Sequence, residues 1–288
     1  MSTPPKEKGK WLVITVIVAV LALIFGIWGA YTYVTEFKWG EPETWTLSRS
    51  ILMLGSGFWF VVGAILWIVG TAFLIMELAG YTFMGFKITK FKIRWDSIDI
   101  AIMALTAAVY GGALAATGGL VVIPGFTWIR PANALTPVFG VLFGLPGAIG
   151  TAIGNFIADA FAGYLGWGSI GGFVGNFILA YIPYKLVSDP SLRSPRAWAE
   201  CYLSIIIASV WCSAYISWWL YIWSPGVSPV PLVGLPPIMI WGWFFPFVII
   251  NNLLVSVILS PPIIYILYPV VKNWGLLWKD RITILSRK

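Results

Sequence analysis

Long apolar runs without charge alternate with short segments that hold nearly all the charge, and this alternation most restricts what the chain can fold into. Trp11–Val34 carries no charged residue. A bilayer core about 30 Å thick takes roughly 20 apolar helical residues, so this run is long enough to cross it. It exceeds a signal-peptide core and no small-residue cleavage site follows, so a retained span is expected. Further runs lie at Ile51–Met76, Ile100–Thr117, Asn133–Leu145, Ala148–Tyr164, Ser169–Tyr184, Cys201–Trp223 and Ile238–Leu259. Asn133–Leu145 and Ala148–Tyr164 are short, Gly-rich and separated by Pro146–Gly147. Pro261–Val271 begins with two prolines, and is expected either to prolong the last helix or to lie along the interface. In lipid the backbone must satisfy its own hydrogen bonds, which favours helices. The expected fold is an all-α integral membrane protein of eight transmembrane helices.

Only 10% of the 288 residues are charged, against about 25% in soluble chains. Lysine and arginine number 18, aspartate and glutamate 11, and histidine is absent. That absence excludes His-based triads, His–metal sites and His general bases. With eight spans, fifteen of the basic residues fall on the side of both termini, and only Lys38, Arg49 and Arg130 on the other. The positive-inside rule then puts both termini in the cytoplasm, and the expected location is the cytoplasmic membrane. The net charge of +7 therefore reads as topology, with attraction to anionic lipid, and no nucleic-acid partner is expected. Cys201 and Cys212 lie on one expected helix, about 16 Å apart along its axis, too far for a disulfide. Many aromatics near span ends, Tyr33, Trp39, Trp45 and Tyr184 among them, read as interfacial anchors.

The middle third differs in texture. Ala104, Ala108, Gly112 and Ala116 recur every fourth residue, and Gly140/Gly144, Gly150/Gly154 and Gly171/Gly175 repeat the spacing. Small-xxx-small rows let helix backbones approach closely in lipid. The spacing leaves open whether the Ala104–Ala116 row packs inside the molecule or meets a separate partner helix. Polar residues also enter these runs: Asn155 and Asp159 one turn apart, Asn176 in the next span, and Arg130 with Asn133 at the mouth of the fourth. Ionisable residues at membrane depth mark functional sites by default. Helical rise puts Arg130, Asn133 and Asp159 in the outer half, whereas Asn251 and Asn252 are expected deeper and read as helix glue. Asn155 and Asn176 read equally as a structural network. The loop Gly118–Trp128 reads either as a lid or as a rigid connector.

The ordered strings Trp128-Ile-Arg-Pro-Ala-Asn-Ala-Leu-Thr-Pro137, Gly140-Val-Leu-Phe-Gly-Leu-Pro-Gly-Ala-Ile-Gly150, Gly154-Asn-Phe-Ile-Ala-Asp159 and Gly171-Gly-Phe-Val-Gly-Asn-Phe-Ile-Leu-Ala-Tyr-Ile-Pro-Tyr-Lys185 resemble substrate-binding S components of energy-coupling-factor transporters. The nearest branch is the queuosine-precursor transporter-like group, which tends to carry an acidic residue where Asn133 stands. The resemblance covers about residues 98–270 and implies a six-helix membrane domain, 98–288 with its basic tail, preceded by a two-helix hairpin and basic loop over 1–97 about which it says nothing. It implies capture of a small vitamin- or nucleobase-like solute from outside, under a loop corresponding to Gly118–Trp128. It also implies docking through small residues of the first helix, here the Ala104–Ala116 row, on a transmembrane coupling subunit with ATPases. The chain has no Gly-x-x-x-x-Gly-Lys-Ser/Thr phosphate loop, so another polypeptide would handle ATP.

A solute site of Arg130, Asn133, Asn155, Asp159 and Asn176, with Trp128 stacking over it, is the leading expectation. The alternative is a non-transporting subunit or scaffold of a larger membrane complex, gripped through the first two helices. Catalysis is disfavoured, because Asp159 lacks a second carboxylate or a histidine for paired acid–base work. No metal ion or cofactor is expected.

Overall fold

In the computed structural model of the chain, the described residues are 5–84, 87–92, 95–117, 121–123, 127–128, 130–163, 165–224 and 234–284. The N-terminal part comprises α1 (Pro5–Glu36), α2 (Thr46–Leu52) and α3 (Ser56–Leu78), followed by strands β1 (Tyr81–Met84) and β2 (Lys87–Lys92). Then come α4 (Ser97–Thr117), β3 (Val121–Ile123), β4 (Thr127–Trp128), a 3-10 turn at Pro131–Ala134, and α5 (Leu135–Phe143). The chain continues through α6 (Leu145–Phe161), α7 (Trp167–Leu186) and α8 (Pro195–Ile222). A short turn α9 (Pro237–Met239) and a π-helical turn (Ile240–Phe244) lead into α10 (Phe245–Asn273), and α11 (Trp278–Arg281) and β5 (Thr283–Ile284) follow. Among the described residues, five helical stretches, Gly9–Glu36, Ser56–Leu78, Ser97–Thr117, Pro195–Ile222 and Pro237–Arg281, are long and apolar enough to cross a membrane. The molecule is a helical, multi-pass membrane protein.

Boundaries move where glycine or proline chemistry dictates. The second span does not begin at Ile51, because Gly55 takes φ +81° and α3 starts only at Ser56. The break between the two short central helices falls at Gly144 (φ +65°), not at Pro146–Gly147. Pro146 sits in the first turn of α6, where its missing N–H costs nothing. The last helix does not stop at Leu259, since α10 runs through Pro261 and Pro262 to Asn273.

Small residues set the helix spacing. Gly150 lies against Thr106 and the Met103 carbonyl, and Gly154 against the Ala107 carbonyl, so α6 presses on α4. Gly140 meets the Ala180 backbone, joining α5 to α7, while Gly175 meets Ile216 and Cys212 of α8. The Ala104, Ala108, Gly112, Ala116 row faces the other way: all four are exposed, and no atom of the described residues lies within 4 Å of a Cβ placed on Gly112. The first helices pack on the bundle. Gly26 and Gly29 of α1 meet Leu254 and Ile250 of α10, and Thr15 Oγ1 donates to the Pro195 carbonyl (2.6 Å). On the far side of α8, Gly70 of α3 meets Tyr215, and Trp211 Nε1 donates to the Leu66 carbonyl (2.8 Å).

One end carries features the charge pattern did not foretell. β1 and β2 form an antiparallel hairpin (Tyr81↔Lys90, Met84↔Lys87), and β5 adds to its edge (Phe91↔Ile284). Arg281 bonds Asp96 (2.8 Å) and Asp99 (2.7 Å), locking the C-terminal segment to the start of α4. Fully buried Glu77 accepts from Thr82 (2.6 Å), Tyr181 (2.9 Å) and Lys185 (2.7 Å), tying α3 and β1 to α7. The Lys185 ammonium also sits 3.9 Å from the Tyr184 ring centroid. Both cysteines are buried and unbridged.

Candidate functional site

Among the described residues, α4, α6, α7, α8 and α10, with the 3-10 and π-helical turns, converge on a cavity of about 390 Å³ in the half of the bundle away from that basic end. Asp159 occupies the last turn of α6, with Asn155 one turn earlier on the same face. Asn155 Nδ2 donates to Asp159 Oδ2 (3.1 Å), and Asn176 Nδ2 of α7 donates to Asn155 Oδ1 (3.0 Å). Asp159 also takes a hydrogen bond from Ser169 and feels the Arg130 charge. The Tyr110 hydroxyl, on α4, lies within donating distance of both Asn176 Oδ1 (2.5 Å) and Asn133 Oδ1 (3.2 Å). Asn133 Nδ2 donates in turn to Asn252 Oδ1 of α10 (2.8 Å), and Asn251 Oδ1 accepts from the Arg130 backbone N–H (3.1 Å).

The result is a continuous polar chain from α6 across α7, α4 and the 3-10 turn to α10. Gly172 is part of its geometry: a Cβ there would stand 2.6 Å from Asn155 Nδ2. Opposite in character, Trp243, Phe244, Phe247 and Val248 supply an apolar, largely aromatic wall to the same cavity.

Arg130, Asn133, Asn155, Asp159 and Asn176, expected from sequence, all line this cavity. Of the expected lid, residues 118–120 and 124–126 and the side chains of 121–123, 127 and Trp128 lie outside the described residues. Within that segment β3 and β4 pair as a short antiparallel hairpin. Asn251 and Asn252 do not lie apart, as depth counting expected, but line the cavity too. The counting assumed a helix ending at Leu259, and the continuation to Asn273 raises both residues away from the basic end. Tyr110, Cys212, Trp243 and Phe247 were not foreseen. Tyr110 had one sequence signal, a polar tip within an Ala- and Gly-rich helix.

The residues of the polar chain fall between 110 and 252 in the sequence, and a model of the QueT transporter family matches residues 100–269, more than half of the sequence. The chain belongs to the QueT transporter family. QueT is a family of queuosine-precursor transporters of the S-component type, and not an enzyme family. No curated protein and no solved structure matches the chain. Among the described residues, the QueT region contributes every residue that lines the cavity, while α1, α2 and α3 lie outside that region.

Proposed function

We propose that this QueT protein captures a small planar, polar solute, nucleobase-like in size and hydrogen bonding, in the cavity between α6, α7 and α10. The carrying observation is the polar chain from Asp159 to Asn252 set beside an aromatic wall within an apolar bundle. Amides offer donor and acceptor together, so Asn155, Asn176 and Asn133 would read the edge of a heterocycle, and the wall would take its face. Asp159 and Arg130 would recognise an amine and an acidic or carbonyl group respectively. Trp128 and the connection through β3 and β4 would cover the bound solute.

In this reading both termini face the cytoplasm, as the fifteen basic residues favour, and the solute enters from the outer side of the cytoplasmic membrane. The exposed Ala104–Ala116 face docks on a transmembrane coupling subunit whose ATPases drive reorientation, because that row is not consumed by packing within the chain. The test is solute-induced thermal stabilisation of the full-length protein, using queuosine precursors and purine bases. A ligand at about 100 Kd stabilises by about 2.7 kcal/mol. Asp159→Asn and Arg130→Ala should abolish the shift given by the best base. An unchanged shift in both variants would show that the site is assigned to the wrong residues.

A further inference from the structure

The aromatic wall of the cavity is held from behind by helices that the family region does not include. Trp243 and Phe247 line the cavity and stack on each other, centroids 5.9 Å apart and planes at 21°. Trp243 belongs to the π-helical turn Ile240–Phe244, a local widening that recurs at functional sites in helices. Residues of α1 and α2 and of the link between them grip this turn. Phe37 stacks on Trp243 (6.2 Å, 24°), Trp39 meets it edge-on (4.8 Å, 88°), and Trp243 Nε1 reaches Tyr33 Oη at 3.4 Å. Tyr33 also contacts Phe247 (5.7 Å). Buried Ser48 of α2 donates to the Gly242 carbonyl, and Pro42 and Leu52 pack on Gly242.

We infer that the N-terminal segment Tyr33–Leu52 is a working part of the solute site: Phe37, Trp39 and Ser48 are positioning residues that fix Trp243 as the aromatic wall. The inference rests on the proposed solute site for its functional meaning, but not for its geometry. Breadth of the cavity, and hence which planar solutes fit, is then set partly by residues outside 100–269. That gives α1 and α2 a function besides membrane anchorage.

Cys212 lines the cavity and Cys201 does not, which provides a native reporter. The experiment measures the rate at which methyl methanethiosulfonate modifies Cys212 in the full-length Cys201→Ala protein in nanodiscs. Trp39→Ala and Phe37→Ala are expected to speed modification roughly three- to tenfold, the opening penalty lost with one aromatic pair. Trp39→Phe should restore most of the protection. Trp28→Ala, on an exposed part of α1 away from the turn, should leave the rate alone. Unchanged rates in Trp39→Ala and Phe37→Ala, or an equal acceleration in Trp28→Ala, would overturn the inference. Guanine added to the unsubstituted wall separates the two ideas: failure of guanine and of every queuosine precursor to slow modification counts against the solute reading, while the variant rates still decide the wall.

Discussion

Gly140 has no room for a methyl group, because a Cβ there would collide with the Ala180 carbonyl of α7. Gly140→Ala should therefore destabilise the bundle by about 1–3 kcal/mol, the usual cost of overpacking. Gly112→Ala, pointing into open space, should cost far less, and detergent unfolding curves of the two variants check the contrast. Sequence spacing announced both glycines but not which would be enclosed, since a fourth-residue repeat is the same on either face of a helix. The same limit governs the site. Arg130, Asn133, Asn155, Asp159 and Asn176 were legible because a polar residue in an apolar run has a cost that needs a reason. Tyr110 and Trp243 were not, because aromatic residues are ordinary in membrane helices and only packing directs these two into the cavity. Asn176→Leu should leave Asn155 and Tyr110 without a shared partner, lowering solute affinity at least tenfold if the bonds removed are those a buried polar site depends on. Equilibrium binding of a queuosine precursor checks it.

The elements at the basic end act as clamps. Lys185→Met would strand the buried Glu77 carboxylate and should cost roughly 3–5 kcal/mol at most, less to the extent that Lys185 touches solvent. Pairing it with Glu77→Leu should recover much of that loss, and a double-mutant cycle by thermal unfolding measures the coupling. The Arg281 clamp is pH-sensitive in a definite direction. The Asp99 backbone N–H, and after it the Arg281 charge, hold the Asp96 carboxyl below its ordinary value of 3.8. A depressed folded-state pKa means that the stabilisation is present above 3.8 and is lost as pH falls through the lower folded-state value. Protease cleavage of the C-terminal segment should rise over that acid window and be insensitive to it in Arg281→Ala. The β1–β2–β5 sheet was invisible in the sequence because its strands are short, and β5 pairs with β2 across nearly 200 residues of chain. The exposed α4 face makes a further prediction. Ala108→Phe should leave solute binding intact while uptake in cells falls sharply, which separates docking from capture.

For the whole molecule, composition and charge asymmetry made the membrane class legible, and the ordered Gly- and Asn-rich strings made the QueT relationship legible. What they did not reveal is how the first three helices join the rest. α1 and α3 both pack on α8, a result of side-chain complementarity that hydropathy does not encode. The central claim is that one cavity, between the Asp159–Asn252 chain and the Trp243 wall, holds the transported solute. Native mass spectrometry of the full-length protein tests it most directly. After incubation with a queuosine precursor, the account predicts one bound molecule per chain, absent in Asp159→Asn and Arg130→Ala. An adduct of undiminished intensity in both variants, or none with the unsubstituted protein, would contradict it.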